Sequence, residues 1–428
     1  MKSALKKIVL TAACLTCGLV SIAQAPPDSL LQYLSIAAKN NPAVLQRFSE
    51  YKAAVQKVPQ AGGLPDPELN VGVFIQPMEL LGGKQYADLR LMQMFPWFGT
   101  LKSAKDEMSL AAEAKYEAFR DAQLRVFFDV RKTWNELQKI REDIRITGEN
   151  IAILHTIEGY TMVKFKAAGP AGQPGDAGLA DLYRVQIEIG DLENDLALLK
   201  DSETSVRAMF NSYLDRPPLS EVALPGKLVP DSLGIPVEAV TDTMLAHNPE
   251  LGMLRYEQLS SRAREKTVTM MSYPMLGLGV NYSVIGKSDM SASPMNGRDM
   301  IMPMATVTIP IYRKKYNAMQ TEAKLMSTAA GQDYQSRANA LETEYYEAVR
   351  LYKDGQRRMV LFDSQRKLAS KTLDIMLKSF ATGGTDLTDV LRVRQQVLDY
   401  ELKEAEAVAD YNTAVAWLQR LMANEPVQ

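Results

Sequence analysis

Pro67-Glu68-Leu69-Asn70-Val71-Gly72-Val73 and Pro274-Met275-Leu276-Gly277-Leu278-Gly279-Val280 are two copies of one stretch, aligning without a gap so that Pro67 meets Pro274, Leu69 meets Leu276 and Gly72 meets Gly279. The first crosses a polar loop and returns through Leu91-Met92-Gln93-Met94-Phe95-Pro96-Trp97-Phe98-Gly99. The second crosses a longer loop and returns through Ala305-Thr306-Val307-Thr308-Ile309-Pro310-Ile311-Tyr312. Strict alternation sends successive side chains to opposite faces, so each copy reads as a β-hairpin, over about 67–97 and about 274–312. One face is oily (Leu69, Val71, Val73, Ile75; Leu276, Leu278, Val280, Tyr282) and the other is mostly polar or small (Glu68, Asn70, Gly72; Gly277, Gly279, Asn281, Ser283). The flanking stretches are long, charged and helical, so the oily face must meet other strands or a lipid bilayer.

Residues 1–23 carry Lys2, Lys6 and Lys7, then an apolar run from Ile8 to Val20, then small residues at Ser21 and Ala23. That is the pattern of a secretory signal peptide, with cleavage expected after Ala23 because a cut after Ala25 would leave Pro26 first. Both cysteines, Cys14 and Cys17, then leave with it. The alternative is a lipidated cysteine, for which Thr11-Ala12-Ala13-Cys14 and Cys14-Leu15-Thr16-Cys17 are poor lipoboxes. Loss of the three lysines takes the formal charge of −2 to about −5, which argues against a nucleic-acid surface. No later stretch approaches the ~18 consecutive apolar residues of a transmembrane helix, so any membrane contact belongs to the hairpins.

No proline interrupts Leu101 to Lys164 or Tyr316 to Phe380. At ~1.5 Å per residue each helix would be on the order of 90–100 Å long. Apolar or small residues recur at alternating three and four, the coiled-coil spacing: Tyr316, Met319, Ala323, Met326, Ala330; Leu341, Tyr345, Ala348, Tyr352; and Val390, Val393, Val397, Tyr400, Ala407, Tyr411, Ala414, Leu418, Leu421, with Glu404 interrupting. The whole chain is a tandem duplication. Asn41-Pro42 answers Asn248-Pro249, each expected within a shorter helix leading to its hairpin, and Asp181-Leu182-Tyr183-Arg184-Val185 answers Asp389-Val390-Leu391-Arg392-Val393. The expected organisation is a first repeat over 24–214, a proline- and glycine-rich connector on the outside of the bundle over 215–235, and a second repeat over 236–428. Glycine-rich turns at 167–175 and 381–385 separate each long helix from the helix that follows.

Met94-Phe95-Pro96-Trp97-Phe98-Gly99, Ile309-Pro310-Ile311 with Lys314-Lys315, and Phe380-Ala381-Thr382-Gly383 through Asp389-Val390-Leu391 are similar to recurring stretches of the TolC-type outer-membrane efflux ducts. The resemblance covers the mature length and rests on the order of these stretches inside the duplicated plan. It implies an α+β, mostly α fold: a homotrimer in which coiled-coil hairpins form an α-helical periplasmic tunnel topped by a twelve-stranded transmembrane β-barrel in outer-membrane lipid. Four strands cannot close alone, because closed barrels start at about eight; the trimer itself is implied only by the resemblance.

The implied function is a passive exit duct, coupled to a periplasmic adaptor protein and an inner-membrane efflux transporter. Its cargo could be heavy-metal ions, to which the Pro96-Trp97-Phe98-Gly99 run points, or drugs, or a polypeptide secreted by a type I system. The competing class is a structural periplasmic coiled coil, which has no use for an oily strand face. His155 and His247 lie too far apart for a shared metal centre, no phosphate loop is present, and no cofactor or enzyme chemistry is expected. Trp97 and Phe98 are expected as membrane-interface aromatics or as caps on the strand–helix junction. By parity Met300, Met302 and Met304 face the lumen, where soft thioethers suit copper(I) or merely fill a flexible rim. Asp181, Arg184, Asp389 and Arg392 are expected at the periplasmic aperture as a gate of cross-helix ion pairs, or as ordinary helix-surface pairs. The family's second carboxylate position in each repeat is here the arginine, Arg184 or Arg392.

Overall fold

The computed structural model describes residues 30–167 and 176–423. The signal-peptide stretch with Cys14 and Cys17, and the first glycine-rich turn beyond Ala167, lie outside the described residues. The first repeat comprises α1 (Leu30–Asn40), α2 (Pro42–Ala61), β1 (Glu68–Leu80), β2 (Gly83–Phe95), α3 (Thr100–Ala167) and α4 (Asp176–Tyr213). The second comprises α5 (Val240–His247), α6 (Pro249–Met271), β3 (Met275–Gly286), β4 (Met300–Thr308), α7 (Arg313–Ala381) and α8 (Leu387–Leu421). With 68 and 69 residues, α3 and α7 are each on the order of 100 Å long.

Asn41-Pro42 and Asn248-Pro249 do not lie within a helix, as the sequence reading expects, but divide two helices. Each asparagine takes an extended conformation (ψ 123° and 122°), which a following proline favours, and its side chain caps the next helix. Asn41 Oδ1 accepts from Ala43 N at 2.9 Å, and Asn248 Oδ1 from Glu250 N at 3.0 Å. Proline then occupies the first helical turn, where its missing N–H costs nothing.

Three apolar clusters hold the bundle. One joins α1, α2, the middle of α3 and the end of α4 through Tyr33, Val44, Phe127, Trp134 and Phe210. Its repeat counterpart joins α5, α6, α7 and the end of α8 through Met244, Leu251, Leu341, Tyr345 and Leu418. The third lies towards the ends of the long helices, where Leu154 and Ile157 meet Val185, Ile189, Phe380, Leu387, Val390 and Val393. The connector is pinned to the bundle: Asn412 Nδ2 donates to Val229 O at 2.9 Å and Asn412 Oδ1 accepts from Asp231 N at 2.7 Å. Glu404, the acid that breaks the apolar spacing, accepts from Arg366 Nε across the α7–α8 interface at 2.5 Å. Met326 departs from the coiled-coil reading. It is exposed while Ala323 and Ser327 are buried, because this stretch of α7 lies beyond the end of α8 and packs on α6.

The four strands form one antiparallel sheet in the order β1-β2-β3-β4, leaving β1 and β4 as open edges. The polar loop expected in the first hairpin is instead a turn at Leu81-Gly82, with strand on both sides. Register shifts between Val73 and Met78 and between Gln85 and Ala87 break the period of two, so alternation hides this outer part of the hairpin. Gly83, at φ +123°, lies where a Cβ would sit 2.2 Å from the Gly286 carbonyl oxygen, so only glycine fits.

Candidate functional site

The sheet is inverted relative to a soluble protein. Register pairs Leu91 with Val280 and Gln93 with Leu278, and beside them Leu69, Val71, Val73, Ile301 and Val307 stand on the same face, turned to solvent in the single chain. Val73 is 72% exposed and Leu278 60%. The opposite face carries the polar groups and is covered along β3, where Asn281 and Ser283 are buried at 6% and 1%, while Asn70, Met302 and Thr306 on the edge strands are exposed in the single chain. There Asp88 accepts from Asn281 Nδ2 at 2.8 Å and from Ser283 Oγ at 3.0 Å, joining β2 to β3 through charge-assisted bonds. Met300, Met302 and Met304 stand on this polar face, paired with Ser283, Asn281 and Gly279.

At the junction of sheet and helices, Trp97 stacks on Tyr273 with ring centroids 5.5 Å apart and an interplanar angle of 23°, and Phe98 packs edge-on against Trp97. Trp97 therefore ties the end of β2 to the start of β3, while Phe98 is exposed. Tyr312, at the start of α7, is exposed as well, giving this level a set of aromatic rings.

Far from the sheet, at the starts of α4 and α8, the four charged residues are placed in matching pairs. Arg184 Nη1 lies 3.4 Å from Asp181 Oδ1, and Arg392 Nη2 lies 2.8 Å from Asp389 Oδ1. Both pairs close along their own helix at i,i+3 spacing and are largely exposed, which limits each to ~0–1 kcal/mol. The contact from these residues across to the other helix is Arg184 Nη1 to Thr388 Oγ1, at 3.4 Å. His155 is an exposed partner of Glu158 on α3, and His247 ends α5; they share no site. Among the described residues no group of three or more His, Cys, Asp or Glu is placed to hold a metal, and no helix is long and apolar enough to cross a membrane.

The fold recurs in solved structures. The outer-membrane channel OprN superposes with a TM-score of 0.75 at 16% identity, over 92% of this chain and 90% of that one. The Vibrio cholerae outer membrane protein VceC gives 0.74 at 14%, over 92% and 96%. The open state of the Neisseria gonorrhoeae MtrE outer membrane channel gives 0.73 at 14%, over 92% and 89%. The chain has the fold of the outer-membrane channels. No protein-family model and no curated protein matches its sequence.

Two features of this channel fold escape sequence reading. Arg394 on α8 is fully buried and donates to Glu188 Oε2 on α4 at 2.5 Å, with Nε and Nη1 lacking partners. Its counterpart in the first repeat is Gln186, which bonds Glu158 on α3 instead. Sequence periodicity places Arg394 beside Val393 and carries no signal that its guanidinium crosses to the other repeat. Asp143 on α3 is buried in a groove with Lys139, Thr147, Asp195, Asp399, Lys403 and Glu406. Burial, against the attraction of Lys139, pushes its carboxyl up to about 6.

Proposed function

We propose that the chain is the passive outer-membrane exit duct of a tripartite efflux system. The observation that carries this reading is the inverted sheet, with Leu69, Val71, Val73 and Leu278 bare outside and Asn281, Ser283 and Asp88 hydrogen-bonded inside. In water that arrangement exposes the wrong face; in a bilayer it is the arrangement a barrel wall requires. The open β1 and β4 edges leave backbone groups that must be paired in lipid, so further copies of the chain complete the wall. Three copies would close twelve strands, and their helices would form a tunnel into the periplasm. A periplasmic adaptor and an inner-membrane transporter supply the energy, since a duct has no machinery for it. Trp97 and Phe98 sit at the inner edge of the lipid, with Trp97 also fastening the strand ends. Asp181, Arg184, Asp389 and Arg392 form the resting constriction at the periplasmic end, where three chains bring their weak pairs together. Heavy-metal ions are the cargo proposed.

Expression with the leader intact, membrane fractionation and planar-bilayer recording test the duct. The expected result is an outer-membrane, detergent-extracted oligomer that resists sodium dodecyl sulfate and passes potassium ions. A product that stays soluble without detergent and conducts nothing overturns it. Loss of copper, silver or zinc tolerance in a deletion strain, with detergent tolerance kept, tests the cargo separately.

A further inference from the structure

Across the paired rows up to Ser283 and Met300, methionine and the aliphatic residues are segregated; one row further out Ile285, paired with Gln85, is buried on the polar face. The polar face, running from Glu68 to Gly72, Asp88 to Met94, Met275 to Ser283 and Met300 to Thr308, has Met92, Met94, Met275, Met300, Met302 and Met304 as its large apolar side chains, and no leucine, isoleucine, valine or phenylalanine. The opposite face carries Leu69, Leu91, Phe95, Leu278, Val280 and Ile301, and no methionine. Space-filling alone does not produce this division, because leucine and methionine have similar volumes and interchange readily in packed sites. In these rows the large apolar side chains of the polar face differ from those of the other by their sulfur.

The sulfurs are also concentrated. A Cβ on Gly277 would lie 2.6 Å from Met94 Sδ and 3.2 Å from Met92 Sδ, so both thioethers lie over the same glycine of the neighbouring strand. Met92 Sδ is also 3.1 Å from the position of a Cβ on Gly279, and Gly279 pairs on its other side with Met304. The glycines thus leave room in which the two thioethers of β2 converge over β3, with Met304 of β4 paired beside Gly279. Met302 and Met300 continue the row outward beside Asn281 and Ser283, and both are exposed in the single chain.

We infer that the methionine-bearing face of the sheet is a relay of thioether sites for soft monovalent metal ions, of the class of copper(I) and silver(I), which pass along it from sulfur to sulfur. This rests on the duct reading, which makes the polar face the lumen wall. Neutral thioethers favour soft ions over zinc or magnesium and bind weakly enough, one or two at a time, for an ion to move on. They carry no proton in the physiological range, so binding of this kind is insensitive to pH where carboxylate ligation is not.

The test uses the full chain, extracted from the membrane in detergent and labelled with 13C at the methionine methyls. Silver(I) is titrated at mildly acidic and neutral pH, with zinc and magnesium as controls. Saturable shifts of the inner-face methyl signals by silver alone, unchanged with pH, are expected. Replacing Met92, Met94 and Met304 by leucine should abolish the shifts at the remaining inner-face methionines nearest them. The Met300→Leu, Met302→Leu variant, changed only at exposed positions, should fold normally and lose the outer part of the response. His155 and His247 are common to all arms. Silver titration that leaves the inner-face signals in place, or a triple variant that binds silver as the parent does, overturns the inference; so does saturable binding of an apolar dye at these methyls with no response to silver. Potassium conductance on the same preparations reads the duct separately. Absent conductance sinks the duct, whereas normal conductance without a silver response sinks only the thioether relay.

Discussion

Asn248 Nδ2 donates to the carbonyl oxygen of Leu421 at 3.0 Å, fastening the start of α6 to the last turn of α8. In the first repeat Asn41 Nδ2 reaches the Tyr213 carbonyl at 2.9 Å, so the same residue type performs the same closure at the end of α4. Each asparagine therefore caps one helix with its oxygen and satisfies the end of another with its nitrogen, at a buried site. Removing both bonds by Asn248→Ala should cost roughly 1–3 kcal/mol. Asn248→Ser, which keeps a capping oxygen but loses the donor, should fall between alanine and the parent in thermal unfolding followed by circular dichroism. Asn41→Ala should match Asn248→Ala, and the two should add, because they occupy separate clusters.

Val73→Arg places a charge on the bare apolar face. In a lipid-facing wall this should cost about 2–4 kcal/mol near the middle of the bilayer. Asn70→Arg, one face over and three residues back, should be milder. The yield of oligomer resisting sodium dodecyl sulfate measures both, and equal yields would show that the two faces do not differ in environment.

Replacing both Asp389 and Arg392 by alanine should raise single-channel conductance in planar bilayers and make it less sensitive to salt. Each exposed pair is weak, so the effect depends on several chains bringing them together. Arg184 is the better single target in the first repeat, because it also reaches Thr388 on α8. An intact oligomer with unchanged conductance would place the constriction elsewhere.

Asp143 sets a pH dependence whose sign follows from burial. Its carboxyl is raised to about 6 in the folded chain and titrates near the ordinary aspartate value when unfolded. Between these values the folded state holds the proton more tightly, so stability falls as pH rises from about 4 through about 6. Asp143→Asn should remove that slope and stabilise the chain at neutral pH by an amount on the order of 2 kcal/mol. Lys139 attracts the charge while Glu136, Glu142 and Glu406 oppose it, so Lys139→Met should steepen the slope. Unfolding midpoints at acid and neutral pH measure both.

The duplication, the very long helices, the paired hairpins and the two-faced strands were all legible in the sequence. Each is a matter of local period: two for Leu69, Val71 and Val73, alternating three and four for Val390, Val393 and Val397. The aspartate–arginine pairs at the starts of α4 and α8 were legible too, as residues at i,i+3 spacing in both repeats. The tertiary structure decided what periodicity cannot carry. Strand parity assigns Met92 and Met94 to one face of their own strand, but only the register of β2 on β3 places their sulfurs over Gly277 and Gly279. The register shifts beyond Val73 and Gln85 removed the alternation by which the outer half of the first hairpin could have been read. Arg394 looks like any helix-surface arginine until α8 packs towards α4 and buries it against Glu188, and Asp143 acquires its shifted proton only from neighbours on three helices. Local spacing determines which face a residue takes on its own element; what lies opposite that face is set by long-range packing, to which residues hundreds of positions apart contribute.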